Sequence, residues 1–232
     1  MVLKMNIIRW IKAKHPHRWI RSRSISRIRK NEKDRHNLIA KNMTIFSSNC
    51  IGGIIYHELG EKFLSPTINL WIKPSDYIEM LSDPKKYFVP QKMKKAIQNK
   101  HKYPVGEIEG KRIYGVHYNS YEELNKKWNS RCTRINWNNI YVFMIERDGC
   151  SYQDLKEFDK LPYKNKIVFT KYQYPDIQSS FVIPGSFDEK NNNVNDLCGY
   201  KNFFSGLRTI DKFDYVSFLN SGKRKLTKGI KE

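Results

Sequence analysis

The stretch Asn139-Ile140-Tyr141-Val142-Phe143-Met144-Ile145 is the most strand-like run in the chain, because six apolar or aromatic residues follow Asn139 without interruption. A short run of this kind, without alternating polar residues, is typical of a strand that is buried on both faces. We therefore place this strand at the centre of the predicted sheet. Arg147-Asp148-Gly149 follows it directly and predicts a turn at the end of the strand.

Strand, turn and helix patterns alternate on both sides of this central run. Residues 43–47 predict a strand, and the glycine-containing turn at residues 48–53 leads into a helix that ends near Gly60. The other predicted elements are strands at residues 67–72, 166–170 and 180–183, and helices after Pro74, from Ser120 through Trp128, at 152–160 and at 213–219. This alternation predicts an α/β fold with a Rossmann-like, mostly parallel sheet flanked by helices.

Two further segments depart from the alternation. Residues 105–108 and 112–117 flank Glu109-Gly110, which predicts an antiparallel hairpin added to the parallel sheet. Residues 188–195 are polar, and we expect them to form a loop.

The length and composition of the chain favour one folded domain. The chain has 232 residues, of which 39% are hydrophobic and 13% aromatic, and this composition argues against wholesale disorder. We divide the sequence into a basic N-terminal arm at residues 1–41, a single α/β domain at 42–222 and a basic tail at 223–232.

The chain is strongly basic, with a formal net charge of +20. Residues 1–36 contain twelve basic and two acidic residues, a net charge of +10, which is half of the excess. Leu3, Ile7, Trp10 and Ile11 recur at helical spacing before Pro16, so the arm is either a short amphipathic helix or a solvated, disordered segment. An anionic membrane surface is the partner that the amphipathic pattern favours, whereas no nucleic-acid recognition motif accompanies the basic residues.

The four cysteines and the hydropathy pattern indicate the cellular compartment. Cys50, Cys132, Cys150 and Cys198 are widely spaced and form no C-x-x-C pair, which argues against a zinc site and a thioredoxin-like site. No apolar run approaches the roughly 20 residues that cross a bilayer, and no signal-peptide pattern opens the chain. We therefore expect a cytoplasmic protein without a metal, in peripheral contact with the inner face of the membrane through residues 1–36.

Several sequence blocks, in order along the chain, resemble a bacterial family that is classified as a domain of unknown function, with members often labelled exopolysaccharide biosynthesis proteins. The blocks are Phe46-Ser47-Ser48-Asn49-Cys50-Ile51-Gly52-Gly53, Leu64-Ser65-Pro66-Thr67-Ile68-Asn69-Leu70, Tyr103-Pro104-Val105-Gly106, Arg134-Ile135-Asn136-Trp137, Arg147-Asp148-Gly149-Cys150 and Phe158-Asp159-Lys160-Leu161-Pro162-Tyr163-Lys164. The resemblance covers roughly residues 43–175. It implies an α/β fold and a role in surface-polysaccharide biosynthesis, but no established catalytic residue.

The glycine turn is the first candidate for chemistry. In Asn49-Cys50-Ile51-Gly52-Gly53, the glycines allow close backbone approach, and the following helix N-terminus can bind a phosphate or carboxylate. Cys50 could act as a thiolate nucleophile, with His57 or His117 as its base. The structural alternatives are a tight strand-to-helix turn and a buried, unreactive thiol.

Polar and aromatic residues around the central strand are the second group of candidates. Asp148, beside Arg147, could act as a general base or bind a sugar hydroxyl, and its structural alternative is to cap the next helix or support the turn. Asn136 and Trp137 could provide an amide and an aromatic surface for a sugar, although such a tryptophan more often fills a core.

These features and the family resemblance lead to a functional hypothesis with open alternatives. The hypothesis is a transferase that modifies or extends a polysaccharide precursor or an activated sugar, with acyl transfer placed slightly ahead of glycosyl transfer. The donor would be an acyl-coenzyme A or a nucleotide-sugar. The alternative from another class is a non-catalytic carbohydrate-binding or assembly protein of the same pathway.

Overall fold

The computed structural model describes residues 24–96, 101–200 and 206–229. Within these ranges, the helices are α1 Ile25–Asn37, α2 Ile51–Leu59, α3 Pro74–Ser82, α4 Pro84–Tyr87, α5 Tyr121–Cys132, α6 Tyr152–Lys160 and α7 Tyr215–Ser221. The strands are β1 Thr44–Ser47, β2 Lys94–Lys95, β3 Val105–Ile108, β4 Lys111–Tyr114, β5 Ile140–Ile145, β6 Asn165–Phe169, β7 Ser180–Phe181, β8 Phe187–Asp188 and β9 Asn193–Val194.

A four-stranded sheet in the order β1-β5-β6-β7 organises the molecule, and all of its pairings are parallel. The register pairs Thr44 with Ile140 and Ser47 with Phe143. The predictions of an α/β fold with a parallel sheet, and of a central position for β5, are therefore confirmed. Parallel strands need crossover connections, and helices occupy those from β1 to β5 and from β5 to β6, whereas residues 170–179 between β6 and β7 form turns.

Helices cover both faces of this sheet, which explains why β5 is apolar along its whole length. Val142 and Met144 pack in one core with residues of α3, α5 and α6. Phe143 and Ile145 point to the opposite face and pack with residues of α2 and α7. Successive residues of a strand point to opposite faces of the sheet. In β5, the residues on each face are therefore buried in a separate core.

The predicted hairpin is confirmed, but it belongs to a separate sheet. β3 and β4 are antiparallel and join β2 in a three-stranded sheet. The predicted strand at residues 67–72 was wrong. Asn69 has a φ of 58°, which interrupts extended backbone, and Trp71 instead exchanges hydrogen bonds of 2.9 and 3.0 Å with the backbone of Tyr114.

Most of the predicted helices lie within a few residues of their observed positions, and two predictions need correction. Residues 188–195, predicted as a loop, contribute to the short antiparallel pair β8–β9. Residues 25–37, which we assigned to a basic arm, form α1. The predicted amphipathic helix before Pro16 lies outside the described residues. In the part of the chain that the structure describes, no helix is long and apolar enough to span a membrane.

Helix α1 is attached to the domain by a buried ion pair. Arg27 is 1% exposed, and its guanidinium donates to Asp211, which is also 1% exposed, with an Nη1–Oδ1 distance of 3.1 Å. Its Nε donates to the carbonyl of Gly206 at 2.8 Å, and Glu58 lies 3.9 Å away. Since buried charges need partners, this network makes α1 part of the folded domain.

We predict that Arg27→Met destabilises the protein by about 3 kcal/mol, because it leaves the Asp211 carboxylate buried without its main partner. Chemical denaturation of the full chain measures the loss. Arg29→Met, an exposed change on the same helix, is the control and should cost about 0.5 kcal/mol or less. Arg27→Met combined with Asp211→Asn should recover part of the stability, and wild-type stability of Arg27→Met alone would show that α1 is not packed as described.

Candidate functional site

The candidate site lies at the edge of the parallel sheet where β1 and β5 end. Asn49-Cys50 and the two glycines follow β1, and Arg147-Asp148-Gly149 follows β5. Because β1 and β5 are adjacent and parallel, both turns lie at the same edge of the sheet. This edge, beyond the carboxyl ends of the strands, is where open α/β sheets usually bind ligands. We call it the carboxyl edge.

Packing explains the glycine turn at this edge. A Cβ atom on Gly52 would lie 3.1 Å from the Cβ of Ser47, and one on Gly53 would lie 2.5 Å from Oδ1 of Asn69. Asn49 stabilises the turn, since its side-chain Oδ1 accepts a 3.0 Å hydrogen bond from the backbone N–H of Ile51. Both glycines are buried, so they allow α2 to pack closely against β1 and the segment around Asn69.

Desolvation raises the pKa values of three of the four thiols, although Cys150 and Cys198 are half-buried like Cys50 and only Cys132 is fully buried. The pKa of Cys132 rises to about 12. Cys50 also raises the pKa of Cys198, whereas Arg208 and Arg147 lower it, so all three groups surround that thiol. Cys50 itself is half-buried at the start of α2, beside the β5 turn.

Of the two histidines considered as bases for Cys50, His57 lies too far along α2 to contact it. His57 is exposed on the last turn of α2. Seven residues separate it from Cys50, which corresponds to about 10 Å along a helix axis and exceeds hydrogen-bond reach. His117 is exposed in the turn between β4 and α5, next to the buried Tyr118.

Asp148 is held by two donors at the carboxyl edge. Its Oδ2 accepts a hydrogen bond from Nε1 of Trp71 at 3.1 Å and lies 3.2 Å from Nε of Arg147. The side chain is 32% exposed. Its φ of 56° is in the left-handed region, which Asp tolerates better than most residues.

Asp148 does not cap the next helix. Ser151 accepts a hydrogen bond from the backbone N–H of Asp154, and Asp154 accepts one from the backbone N–H of Ser151, which completes a capping box for α6. The first structural alternative for Asp148 is therefore excluded. Its carboxylate points instead toward Trp71.

Aromatic rings surround Trp71 and form a surface next to Asp148. The ring centroids of Trp71 and Tyr114 are 4.2 Å apart, and His101 packs edge-on against Tyr114 at 5.4 Å. His101 also stacks on Tyr103 at 4.8 Å. Desolvation, Tyr114 and Asp148 together raise the pKa of Tyr103, which shows that its hydroxyl lies in the field of the carboxylate. We call Trp71, His101, Tyr103 and Tyr114 the aromatic surface.

A buried carboxylate at the end of β5 fixes the neighbouring loop. Glu146 is 4% exposed, and it lies 3.0 Å from Nζ of Lys171 and accepts from the Lys171 backbone N–H at 2.8 Å. Tyr174 donates its hydroxyl to Glu146 at 2.9 Å, and desolvation followed by this hydrogen bond raises the pKa of Tyr174. Sequence reasoning missed this network, as it missed the aromatic surface, because its members are far apart in the chain.

Asn136 and Trp137 lie at the opposite edge, where β1 and β5 begin. The backbone N–H of Asn136 donates to Thr44 Oγ1 at 2.8 Å, and its side chain donates to the carbonyl of Asn42 at 2.9 Å. Trp137 is 44% exposed and lines a groove of about 430 Å³ with Tyr163 and other residues. The structure thus separates these two residues from Asp148 by the length of the strands.

The described residues contain no group of three or more His, Cys, Asp or Glu side chains arranged to hold a metal ion. The residues that the structure brings together at the carboxyl edge are Asn49, Cys50, Arg147 and Asp148 from the sequence-based candidates, together with the aromatic surface, Cys198 and Arg208. A carboxylate beside aromatic rings can bind polyhydroxylated ligands, and two guanidinium groups can bind anionic groups of a ligand.

Fold and site together define an α/β protein with a polar and aromatic site at the carboxyl edge of a parallel sheet. The family described as "Domain of unknown function (DUF1919)" matches residues 21–220, and the chain belongs to this family. A Haemophilus influenzae protein described as "Uncharacterized protein" is 36% identical over 183 residues, which cover 79% of this chain and 86% of that protein. The family match includes α1, in agreement with the buried ion pair of Arg27 that attaches this helix to the domain.

We predict slow alkylation of three native thiols. At pH 7.5, Cys132, Cys150 and Cys198 should react with iodoacetamide at least about 100-fold more slowly in the native protein than in the unfolded chain, because a raised pKa reduces the thiolate fraction. The native rates should rise about tenfold per pH unit between pH 7 and 9. Peptide mass spectrometry reports each cysteine separately, and rapid modification of native Cys198 at pH 7.5 would contradict this assignment.

Proposed function

We propose that this protein is a transferase of bacterial cell-surface polysaccharide biosynthesis that adds a group to a sugar hydroxyl. The observation that carries the proposal is Asp148, whose carboxylate is oriented by Trp71 and Arg147 at the carboxyl edge and remains one-third exposed. A carboxylate so placed can accept a hydrogen bond from a sugar hydroxyl and take its proton as the oxygen attacks a donor. The resemblance to proteins labelled exopolysaccharide biosynthesis proteins supports the polysaccharide context.

The aromatic surface supports a sugar as the acceptor. One face of a pyranose is lined with C–H groups, which pack against aromatic rings, while its hydroxyls point outward to polar partners. The half-buried indole of Trp71 has two roles in this proposal. Its ring is part of the aromatic surface, and its N–H donates to Asp148 and orients the carboxylate. A sugar on this surface would thus have a hydroxyl near the carboxylate.

The guanidinium groups of Arg147 and Arg208 support a donor that carries phosphates. Arg147 pairs with Asp148, and Nε of Arg208 lies 3.5 Å from Glu58 while its Nη1 donates to the carbonyl of Cys198 at 2.5 Å. Both arginines lower the pKa of the Cys198 thiol, so they add positive charge near it, and a phosphate would bind as a further partner of these pairs. Acyl-coenzyme A and nucleotide-sugars both carry a diphosphate, which bidentate arginines bind well. The Rossmann-like arrangement that we propose for the sheet agrees with a donor at this edge.

Acyl transfer is the first candidate reaction, and glycosyl transfer is the second. In acyl transfer, the sugar oxygen bonds to the thioester carbon, the coenzyme A thiolate leaves, and the start of α2 can stabilise the negative charge that develops on the carbonyl oxygen. In glycosyl transfer, the same oxygen bonds to the anomeric carbon and the nucleotide diphosphate leaves. Asp148 takes the hydroxyl proton in both. The proposal includes a cytoplasmic location, with peripheral contact to the membrane through residues 1–36.

We predict that Asp148→Asn lowers the rate of transfer at least about 100-fold while donor binding is retained, because the amide keeps the hydrogen-bonding shape but cannot take a proton. Thermal shift with acetyl-coenzyme A and with UDP-N-acetylglucosamine identifies the donor class. Incorporation of the labelled acetyl group or sugar into membranes from a strain lacking the protein then measures transfer.

Glu32→Gln, an exposed change on α1, is the charge-matched control for Asp148→Asn and should transfer at the wild-type rate. Wild-type activity of Asp148→Asn would show that the Asp148 carboxylate takes no part in the reaction. If the protein binds glycans but consumes neither donor class, the non-catalytic carbohydrate-binding or assembly alternative is correct.

A tryptophan pair tests which edge of the sheet binds the acceptor. Trp71→Phe keeps an aromatic face but removes the N–H that orients Asp148, so we expect kcat to fall about tenfold with little change in the acceptor KM. Trp71→Ala should raise the acceptor KM as well. Trp137→Phe, at the opposite edge, should leave kcat and the acceptor KM unchanged. If Trp137→Phe instead lowers kcat as much as Trp71→Phe, the acceptor binds in the Trp137 groove.

A further inference from the structure

Another cavity lies between α1, α7 and the C-terminal segment. Its volume is about 550 Å³, which is within the range of small-molecule sites. We call it the basic groove. The basic side chains along it are Arg29, Lys30, Lys33, Lys225 and Lys228, and its acidic residues are Asp34 and Asp214.

Two of these five cations are neutralised within the protein. Lys30 contacts Asp34 and lies 2.8 Å from the hydroxyl of Tyr215, and Lys225 lies 3.3 Å from Asp214. Both acidic residues of the groove are therefore used. The ammonium groups of Lys30 and Lys225 are therefore already paired and are not the ones that would bind a further anion.

The other three cations, Arg29, Lys33 and Lys228, are exposed and contact no carboxylate within the described residues. Arg29 and Lys33 are four residues apart on α1, so they lie side by side on the same helix face and repel each other. Ser26 and Asn37 continue this stripe along the groove. An anion bound between Arg29 and Lys33 would reduce the repulsion of their positive charges and give both side chains a partner.

The wall behind these cations is mostly carbon, which restricts the class of anion. Leu207, which is half-buried, lines the groove together with Phe213 and Val216, which are 0% and 7% exposed. A small, fully hydrated anion gains nothing from such a wall, whereas an amphiphile buries its hydrocarbon there and keeps its charged group at the cations.

We propose that the basic groove binds the phosphate group of a phosphomonoester lipid, with Arg29, Lys33 and Lys228 on the phosphate and the first carbons of the acyl chains against Leu207 and Val216. Arginine binds a phosphate through paired N–H donors, and the two lysines add charge. The groove would hold one lipid headgroup on the domain itself, independently of the reaction at the carboxyl edge.

Calorimetric titration of the full chain tests the proposal with three probes. They are dihexanoyl phosphatidic acid below its micellar concentration, glycerol 3-phosphate, which lacks the acyl chains, and dihexanoyl phosphatidylcholine, which is zwitterionic. We expect saturable binding of one phosphatidic acid, at least about tenfold weaker binding of the other two probes, and weaker binding of the dibutanoyl than of the dihexanoyl lipid.

A charge-matched pair of double variants assigns the binding to the groove. Arg29→Gln/Lys33→Gln should weaken phosphatidic acid binding at least about tenfold. Lys85→Gln/Lys126→Gln removes the same charge from exposed positions on α4 and α5 and should bind like the wild type. Because all four positions are exposed, unchanged unfolding midpoints are expected for both variants and verify folding.

Equal binding by the two double variants would overturn the proposal, since attraction would then depend on total charge alone. Absence of saturable binding would overturn it as well. Binding of glycerol 3-phosphate as tight as that of phosphatidic acid would show that the carbon wall plays no part, and the lipid would have to be replaced by a soluble phosphate.

Discussion

The parallel pairing of β1 with β5 is the constraint on which the rest of the structure depends. Four residue pairs, from Thr44 with Ile140 to Ser47 with Phe143, bring together segments that are almost 100 residues apart. Parallel pairing aligns the ends of both strands, so the turn after β1 and the turn after β5 must lie at one edge. Burial of both sheet faces makes a shift of this register costly, because every side chain would exchange its core for the other one.

This constraint places the candidate residues Asp148 and Cys50 at the carboxyl edge, and Asn136 and Trp137 at the opposite one. At the carboxyl edge, Asp148 is oriented by Trp71, which is attached to the second sheet through its backbone pairing with Tyr114. The antiparallel sheet therefore supplies the aromatic surface, while the parallel sheet supplies the carboxylate. Neither sheet forms the proposed site alone, and the Trp71–Tyr114 backbone pairing joins the two parts.

The sequence predicted what depends on local pattern and missed what depends on distant contacts. Apolar runs and caps located β5, the helix after Ser151 and the hairpin, because burial and backbone capping act over a few residues. The strand predicted at residues 67–72 was wrong because one left-handed residue, Asn69, interrupts an otherwise apolar run. Asp148 was a candidate from its position after a strand, but Trp71, Tyr114 and Glu146 had no local signal, since their partners are remote in the chain.

The most direct test of the central claim, that the carboxyl edge binds the ligand, is the indole N–H spectrum of the ¹⁵N-labelled protein. The chain has five tryptophans, of which Trp71 lies at the carboxyl edge, Trp128 in the core and Trp137 at the opposite edge. Titration with acetyl-coenzyme A and with UDP-N-acetylglucosamine should shift the Trp71 signal and leave those of Trp128 and Trp137 unchanged. A shift of Trp137 with Trp71 unmoved, or no shift of Trp71 with either ligand, would contradict the account.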